Sequence, residues 1–274
     1  MGKQKRSENT YQKINTIFKR DAKNVIMPYE PFVKPEFEYL RGLKWRGEEK
    51  VDGTNMRIEV TKEEVWDDPM EPSVLEGVKF NIRIAGKTDN AQIPKNLLKH
   101  MQEKYPDEKV FAALGLKEFI PVGEWEEHKW NSYEDIPNMY TIYGEGYGEG
   151  IQSGGWYIKG GNEFIVFDVK VNNLYLKTDA RDDIASKLGA PIVPLKGYFT
   201  LDEAIDYVRK GFRSEVAENP DAKMAEGLVL RTDLGLCDRM GERLIVKIKY
   251  EDFQKYRNVY GTDEKVEQEK NMHY

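Results

Sequence analysis

At 274 residues, 39% hydrophobic and 33% charged, the chain has room for one large or two small domains, with a core under an extensive polar surface. There is no apolar run of about 18 residues to span a membrane, and Met1-Gly2-Lys3-Gln4-Lys5-Arg6 lacks the apolar stretch of a secretory signal, so a cytoplasmic protein without membrane contact is expected. Cys237 is the single cysteine and excludes an internal disulfide, three histidines argue against a structural zinc site, and a net charge of -6 argues against nonspecific coating of nucleic acid.

Residues 1–24 read as a basic arm. Lys3, Lys5, Arg6, Lys13, Lys19, Arg20 and Lys23 stand against Glu8 and Asp21, which suits phosphate contacts or a solvated terminus equally. One helix is expected there, through Ile14, Ile17 and Phe18. Pro28, Pro31 and Pro35 mark residues 25–45 as loop with short extended pieces. Trp45 to Val60 gives two extended stretches around Gly53. Val78 to Ala85 alternates apolar and polar, as a half-buried strand does. Pro94 opens a helix carrying Leu97, Leu98 and Met101, and Val110 to Leu116 continues as a second.

Beyond that point the pattern is mostly extended: Phe119 to Val122, an acidic and aromatic stretch at Trp125 to Trp130, Thr141 to Gly150, Trp156 to Ile158 and Phe164 to Val169. Asp179 to Leu188 is a helix stopped by Gly189 and Pro191. Thr200 and Glu203 have capping-box spacing at the head of a helix running to Lys210, with Gly211 as its stop. Gly227 to Arg231 and Leu244 to Lys249 are strands, and residues 251–274 form a polar tail. Strands with helices inserted between them, without regular alternation, define an α+β class. The expected organisation is a basic arm at 1–24, one domain at 25–250, and the tail.

Lys50-Val51-Asp52-Gly53-Thr54-Asn55 is the stretch with chemical content. In an extended segment Lys50 and Asp52 share a face, and Gly53 lets the backbone turn and approach a ligand. Taken alone, the string is better explained by a solvated lysine at a strand end before a hairpin turn. Four further stretches change the weighing: Tyr143-Gly144-Glu145-Gly146-Tyr147-Gly148, Phe164-Ile165-Val166-Phe167-Asp168, Ala225-Glu226-Gly227-Leu228-Val229-Leu230-Arg231 and Val246-Lys247-Ile248-Lys249. In the last, the two lysines share one strand face while Leu244, Val246 and Ile248 share the other.

In identity, order and spacing these five stretches resemble the nucleotidyltransferase motifs of covalent polynucleotide ligases and mRNA capping enzymes. The nearest resemblance is to the phage-type double-strand RNA ligases and the RNA-editing ligases, where Gly-Thr-Asn follows the motif lysine. The resemblance implies an ATP-grasp-like α+β domain of antiparallel sheets flanked by helices, without a C-terminal OB or helical domain. It implies ATP as substrate, Mg2+ or Mn2+ as cofactor, and RNA with 5′-phosphate and 3′-hydroxyl ends as partner.

Lys50 is then the nucleophile that takes AMP. Glu226, Lys247 and Lys249 complete the catalytic set, and Glu49, Asp52, Asn55, Lys87, Glu145 and Phe167 complete the nucleotide site. Glu226 and Asp52 are the candidate metal ligands. A free lysine is only about 0.1% uncharged at neutral pH, so burial, neighbouring cations or a metal must favour the neutral amine. Lys87 stands where many family members have arginine, which loses the planar fork. Family members also carry a domain after the last motif, whereas 25 residues follow Lys249 here. The arm, or a protein partner, is expected to substitute for it. A DNA nick ligase, a GTP-dependent capping enzyme and a catalytically silent nucleotide- or RNA-binding module are the rival readings.

Overall fold

The computed structural model describes residues 9–27, 31–65, 77–121, 130, 132–152, 154–218 and 224–253. The first basic residues of the arm, most of the Trp125 to Trp130 stretch and the tail from 254 lie outside these. Contacts divide the chain into two compact units, one holding Tyr11 and Gly53–Ile192, the other Gln12–Asp52 and the chain from Val193 onward.

The chain runs through β1 (Asn15–Thr16), β2 (Lys19–Arg20), β3 (Ile26–Met27), α1 (Pro35–Tyr39) and β4 (Trp45–Lys50). No helix forms through Ile14, Ile17 and Phe18. Instead β1 pairs in parallel with the last strand, and Ile17 and Phe18 enter the core. Long-range pairing overrides the helical spacing here: β1 is held by β13, and the bend that follows it places Ile17 and Phe18 in the core. Within the stretch expected as loop, Pro35 opens the short α1, where its fixed φ suits the first turn.

The chain passes into the other unit at Gly53 and builds β5 (Thr54–Val65), β6 (Gly77–Gly86), α2 (Lys95–Lys104), α3 (Asp107–Leu114), β7 (Phe119–Pro121), β8 (Met139–Gly148), β9 (Asn162–Val171), β10 (Leu174–Tyr175) and α4 (Thr178–Leu188). It returns for β11 (Leu195–Phe199), α5 (Leu201–Lys210), β12 (Gly227–Arg231) and β13 (Ile245–Lys249). Gly154–Trp156 is a 3-10 turn where an extended piece was expected, and Trp156 stacks on Tyr157. Strand β11 was not expected.

In the first-mentioned unit, six antiparallel strands lie in the order β10-β9-β8-β5-β6-β7. Period-two alternation sends Met56, Ile58, Val60, Ile142, Phe164 and Val166 to one face, where α2, α3 and α4 cover them. Glu163 on β9 ties α2 to this sheet. It accepts from Tyr105 Oη at 2.9 Å and from the Phe164 amide at 2.9 Å, and pairs with Lys104. Burial opposes its ionisation, but these donors prevail and hold the carboxyl below its usual value of 4.5. The stability it supplies is therefore complete above 4.5 and is lost as pH falls through the lower folded-state value. Glu163→Gln is expected to destabilise the fold by about 2 kcal/mol at neutral pH. It should also shrink the fall in stability below pH 4.5, as followed by urea melts across pH. Equal acid limbs in both proteins would contradict this.

The other unit holds a five-stranded sheet in the order β1-β13-β12-β4-β11. Trp45, Leu228, Leu230, Val246 and Ile248 form its apolar face, packed against Leu201, Ala204 and Val208 of α5. The capping box at Thr200 and Glu203 opens α5, and Gly211 with φ of 80° follows its end. Both units are sheet flanked by helix, antiparallel throughout except for the parallel edge strand β1, an α+β architecture. No helix among the described residues is long and apolar enough to cross a membrane.

Candidate active site

The lysines converge because β12 lies between β4 and β13. Gly227 is registered with Lys50 on one side and Lys249 on the other, and Val229 lies opposite Lys247. Glu226 immediately precedes Gly227, so its carboxylate meets both neighbours. Lys50 Nζ donates to Glu226 Oε2 at 2.5 Å, and Lys249 Nζ lies 2.7 Å from Glu226 Oε1. Gly227 permits this approach: its φ is +150°, and a Cβ there would stand 2.0 Å from the Ile248 carbonyl oxygen.

The electrostatics of the cluster follow from its crowding. Burial opposes the charge of Lys249, but the hydrogen bond to Glu226, with Glu251 beyond it, raises its pKa overall. Lys247 has no such carboxylate bond among the described residues. Burial first, then the positive charges of Lys50 and Lys249, lower its pKa. The polar face also carries Glu48, buried between Arg46 at 3.0 Å and Arg231 at 3.2 Å.

Glu49 does not join this cluster. Alternation along β4 turns it to the opposite face, where Ser214 Oγ donates to it at 2.5 Å and the Glu215 amide at 2.9 Å. Burial raises its pKa against these donors. Asp52 is half-buried just past the end of β4.

The remaining sequence candidates lie in the unit built on β5. Asn55 and Glu145 are direct cross-strand partners in the β5–β8 register. A Cβ on Gly53 would lie 2.2 Å from the Gly146 carbonyl oxygen and 3.0 Å from Glu145 Cγ, so the turn after the motif lysine admits only glycine. Asn55 Oδ1 is buried and has no hydrogen-bond partner among the described residues. Unpaired buried acceptors are costly, and such an atom suits a ligand donor.

The register of β8 with β9 jumps between Tyr143 and Gly144, opposite Asp168 and Val166, leaving Phe167 as the extra residue of a bulge. A bulge re-aims the side chain it carries. Phe167 is half-buried, with Tyr11 edge-on at 4.9 Å, while Phe164 lies wholly in the core. Lys87 is exposed just after β6.

Two groups of residues had no place in the sequence reading. Tyr11 donates to Asp168 Oδ2 at 2.8 Å and packs against Tyr143 and Phe167. Arg57, fully buried, donates to Glu59 at 2.6 Å, to the Gly86 carbonyl and to Asp89, while Arg83 lies 2.6 Å from Glu59. The alternation Asn55-x-Arg57-x-Glu59 was a visible signal that three polar groups share one strand face.

Among the described residues, no three or more His, Cys, Asp or Glu side chains gather into a resident metal site. Glu226 and Asp52 fit a more open role. Mg2+ takes one or two carboxylates, fills its remaining positions with substrate phosphates and water, and needs no protein cage.

The family model for RNA ligase matches residues 43–249. Among solved structures, a mutant of Naegleria gruberi RNA ligase with ATP and Mn is 18% identical with a TM-score of 0.51, over 88% of this chain and 57% of that one. Another mutant with ATP and Mn is 16% identical with a TM-score of 0.52, over 92% and 59%. The same ligase with PPi gives 17% and 0.51, over 91% and 64%. At such identities the likeness is one of fold, and the chain spans less than two thirds of the ligase chains it matches. No curated protein matches the sequence.

Proposed function

The chain belongs to the RNA ligase family, and from that premise we propose that it joins RNA 3′-hydroxyl and 5′-phosphate ends using ATP, through AMP carried on Lys50. The observation that supports this most is the carboxylate of Glu226 shared between Lys50 at 2.5 Å and Lys249 at 2.7 Å. A lysine that serves only solubility does not share one partly buried carboxylate with a second lysine.

In the proposed first step the Lys50 amine attacks the α-phosphorus of ATP. The new bond is N–P, the broken bond is P–O, and pyrophosphate leaves with its electron pair. Glu226 holds Nζ in position and is the nearest acceptor for its proton. Lys247 and Lys249 supply positive charge to the phosphoryl group in transfer, work that is mainly electrostatic. A divalent ion held by Glu226 and Asp52 supplies further charge neutralisation when bound. Asn55 and Glu145 hold the ribose, and Phe167 stacks on adenine. Lys87 contributes a mobile cation at the phosphate or the RNA end. Glu49 is assigned a positioning role, since its carboxylate anchors the loop at Ser214. AMP then passes to the RNA 5′-phosphate, and a 3′-hydroxyl displaces it. On this reading the chain groups with the phage-type double-strand and RNA-editing ligases.

The test is incubation with labelled ATP, GTP or NAD plus Mg2+ or Mn2+, read as covalent label on a denaturing gel. Label from ATP alone is expected. Label from GTP would favour a capping enzyme, and no label from any of them a binding module.

A paired substitution tests the adenine contact. Phe167→Leu should weaken ATP binding about tenfold at little cost in stability, because a half-buried ring loses stacking and few core contacts. Phe164→Leu should instead lower stability by about 1 kcal/mol and leave ATP affinity nearly unchanged. Titration and thermal melts showing the reverse would exchange the two roles.

A further inference from the structure

Beside Lys247, and wholly within its own unit, lies an open cavity of about 480 Å³ walled by the segment from Lys13 to Arg20. Among the described residues its lining includes four cations, Lys13, Lys19, Arg20 and Lys247, and no carboxylate. The wall is positioned by β1, whose Thr16 is registered with Lys247 of β13 while the Ile17 amide donates to the Lys247 carbonyl at 3.1 Å. Thr16 is 8% exposed, and its Oγ1 is buried without a hydrogen-bond partner among the described residues. Arg20 donates from Nη2 to Asp252 at 3.1 Å and from Nη1 to the Asn24 carbonyl at 2.9 Å. Asp252 offsets part of the charge from outside the lining.

Four cations beside the flanking carboxylate of Asp252 keep an excess of positive charge, which an anion joining them would relieve. Phosphate oxygens accept from ammonium, guanidinium and hydroxyl alike, which is the donor set gathered here. The size is that of a small-ligand site. None of Lys13, Thr16, Lys19 or Arg20 belongs to the motif stretches.

We propose that this cavity is a phosphate-binding site built by the N-terminal segment onto Lys247. Two sources of phosphate fit it: the terminal phosphates of the nucleotide, and the 5′-phosphate end of RNA. Both rest on the ligase reading, but the site itself does not require that the protein be adenylated.

The experiment compares the full chain with Lys13→Ala/Lys19→Ala and, separately, Thr16→Val. Lys13 and Lys19 are exposed, so the double variant should melt as the parent does. Pyrophosphate binding is measured by calorimetry, and binding of short 5′-phosphorylated and 5′-hydroxyl RNA by anisotropy at several salt concentrations. Loss of about tenfold or more in pyrophosphate affinity assigns the site to the nucleotide. Loss confined to 5′-phosphorylated RNA, with a salt slope shallower by about 1 to 2, assigns it to the RNA end. Thr16→Val should weaken the same ligand by a smaller factor. Affinities for pyrophosphate and for both RNAs unchanged within twofold in the double variant would overturn the proposal. Phosphate binding lost in the variant of a protein that ATP never labels would instead retain the site and remove the ligase reading.

Discussion

Replacing Lys50 with alanine is expected to abolish covalent transfer of AMP, lowering label by about 10⁴-fold or more, because no other group can substitute for a nucleophile that forms the intermediate. The fold should survive, since Lys50 stands at the end of β4 on the polar face and no core contact depends on it. Lys50→Arg separates two explanations. It keeps a cation for Glu226, and a guanidinium cannot release its proton to become a nucleophile. Loss of label in both variants, with thermal melts near the parent's, would mean that the amine itself reacts. Full label in Lys50→Ala would remove the assignment, and full label in Lys50→Arg alone would reduce Lys50 to an electrostatic role.

The second large effect concerns Lys247 and Lys249, and the two should differ in stability while agreeing in activity. Each removes a positive charge proposed to face the phosphoryl group, at a cost of about 2–4 kcal/mol, or ~30- to 1000-fold in adenylation. The raised pKa of Lys249 means its pairing adds stability that is fully present below the ordinary lysine value of 10.5 and is lost as pH rises through the folded-state value. Lys249→Ala should therefore destabilise the fold at neutral pH. Lys247 has the opposite sign. Its lowered pKa means that holding it charged costs stability at every pH below its folded-state value, a cost relieved as pH rises towards 10.5. Lys247→Met should leave the fold as stable or more stable at pH 7 and still lose activity. Single-turnover label formation and melts across pH separate these. Near-normal adenylation in both variants would mean that this face of β13 serves only solubility.

The N-terminal segment shows how far residue order carries and where it stops. Its excess of basic residues was plain, yet its helical spacing was misleading, because what decides its conformation is a parallel partner some 230 residues later, in β13. Removing residues 1–23 would remove Ile17 and Phe18 from the core, so point substitutions are the sound probe of its charges.

What residue order determined alone was local: the five motif stretches, the polar and apolar faces of β13 and the capping box at Thr200. Each of these depends on neighbours within a few residues, where backbone periodicity and sterics already act. What tertiary structure alone decided was which faces meet. Lys50 and Glu226 are 176 residues apart in the chain and become partners only because β12 is inserted between β4 and β13 in one register. The bulge that separates the half-buried Phe167 from the buried Phe164 is likewise a property of the β8–β9 pair, as neither strand specifies it without the other. Glu49 and Lys50, adjacent in the motif, are sent to opposite faces by the pleat of one strand, and only the packing of the sheet decides which face holds Ser214 and which gathers the lysines.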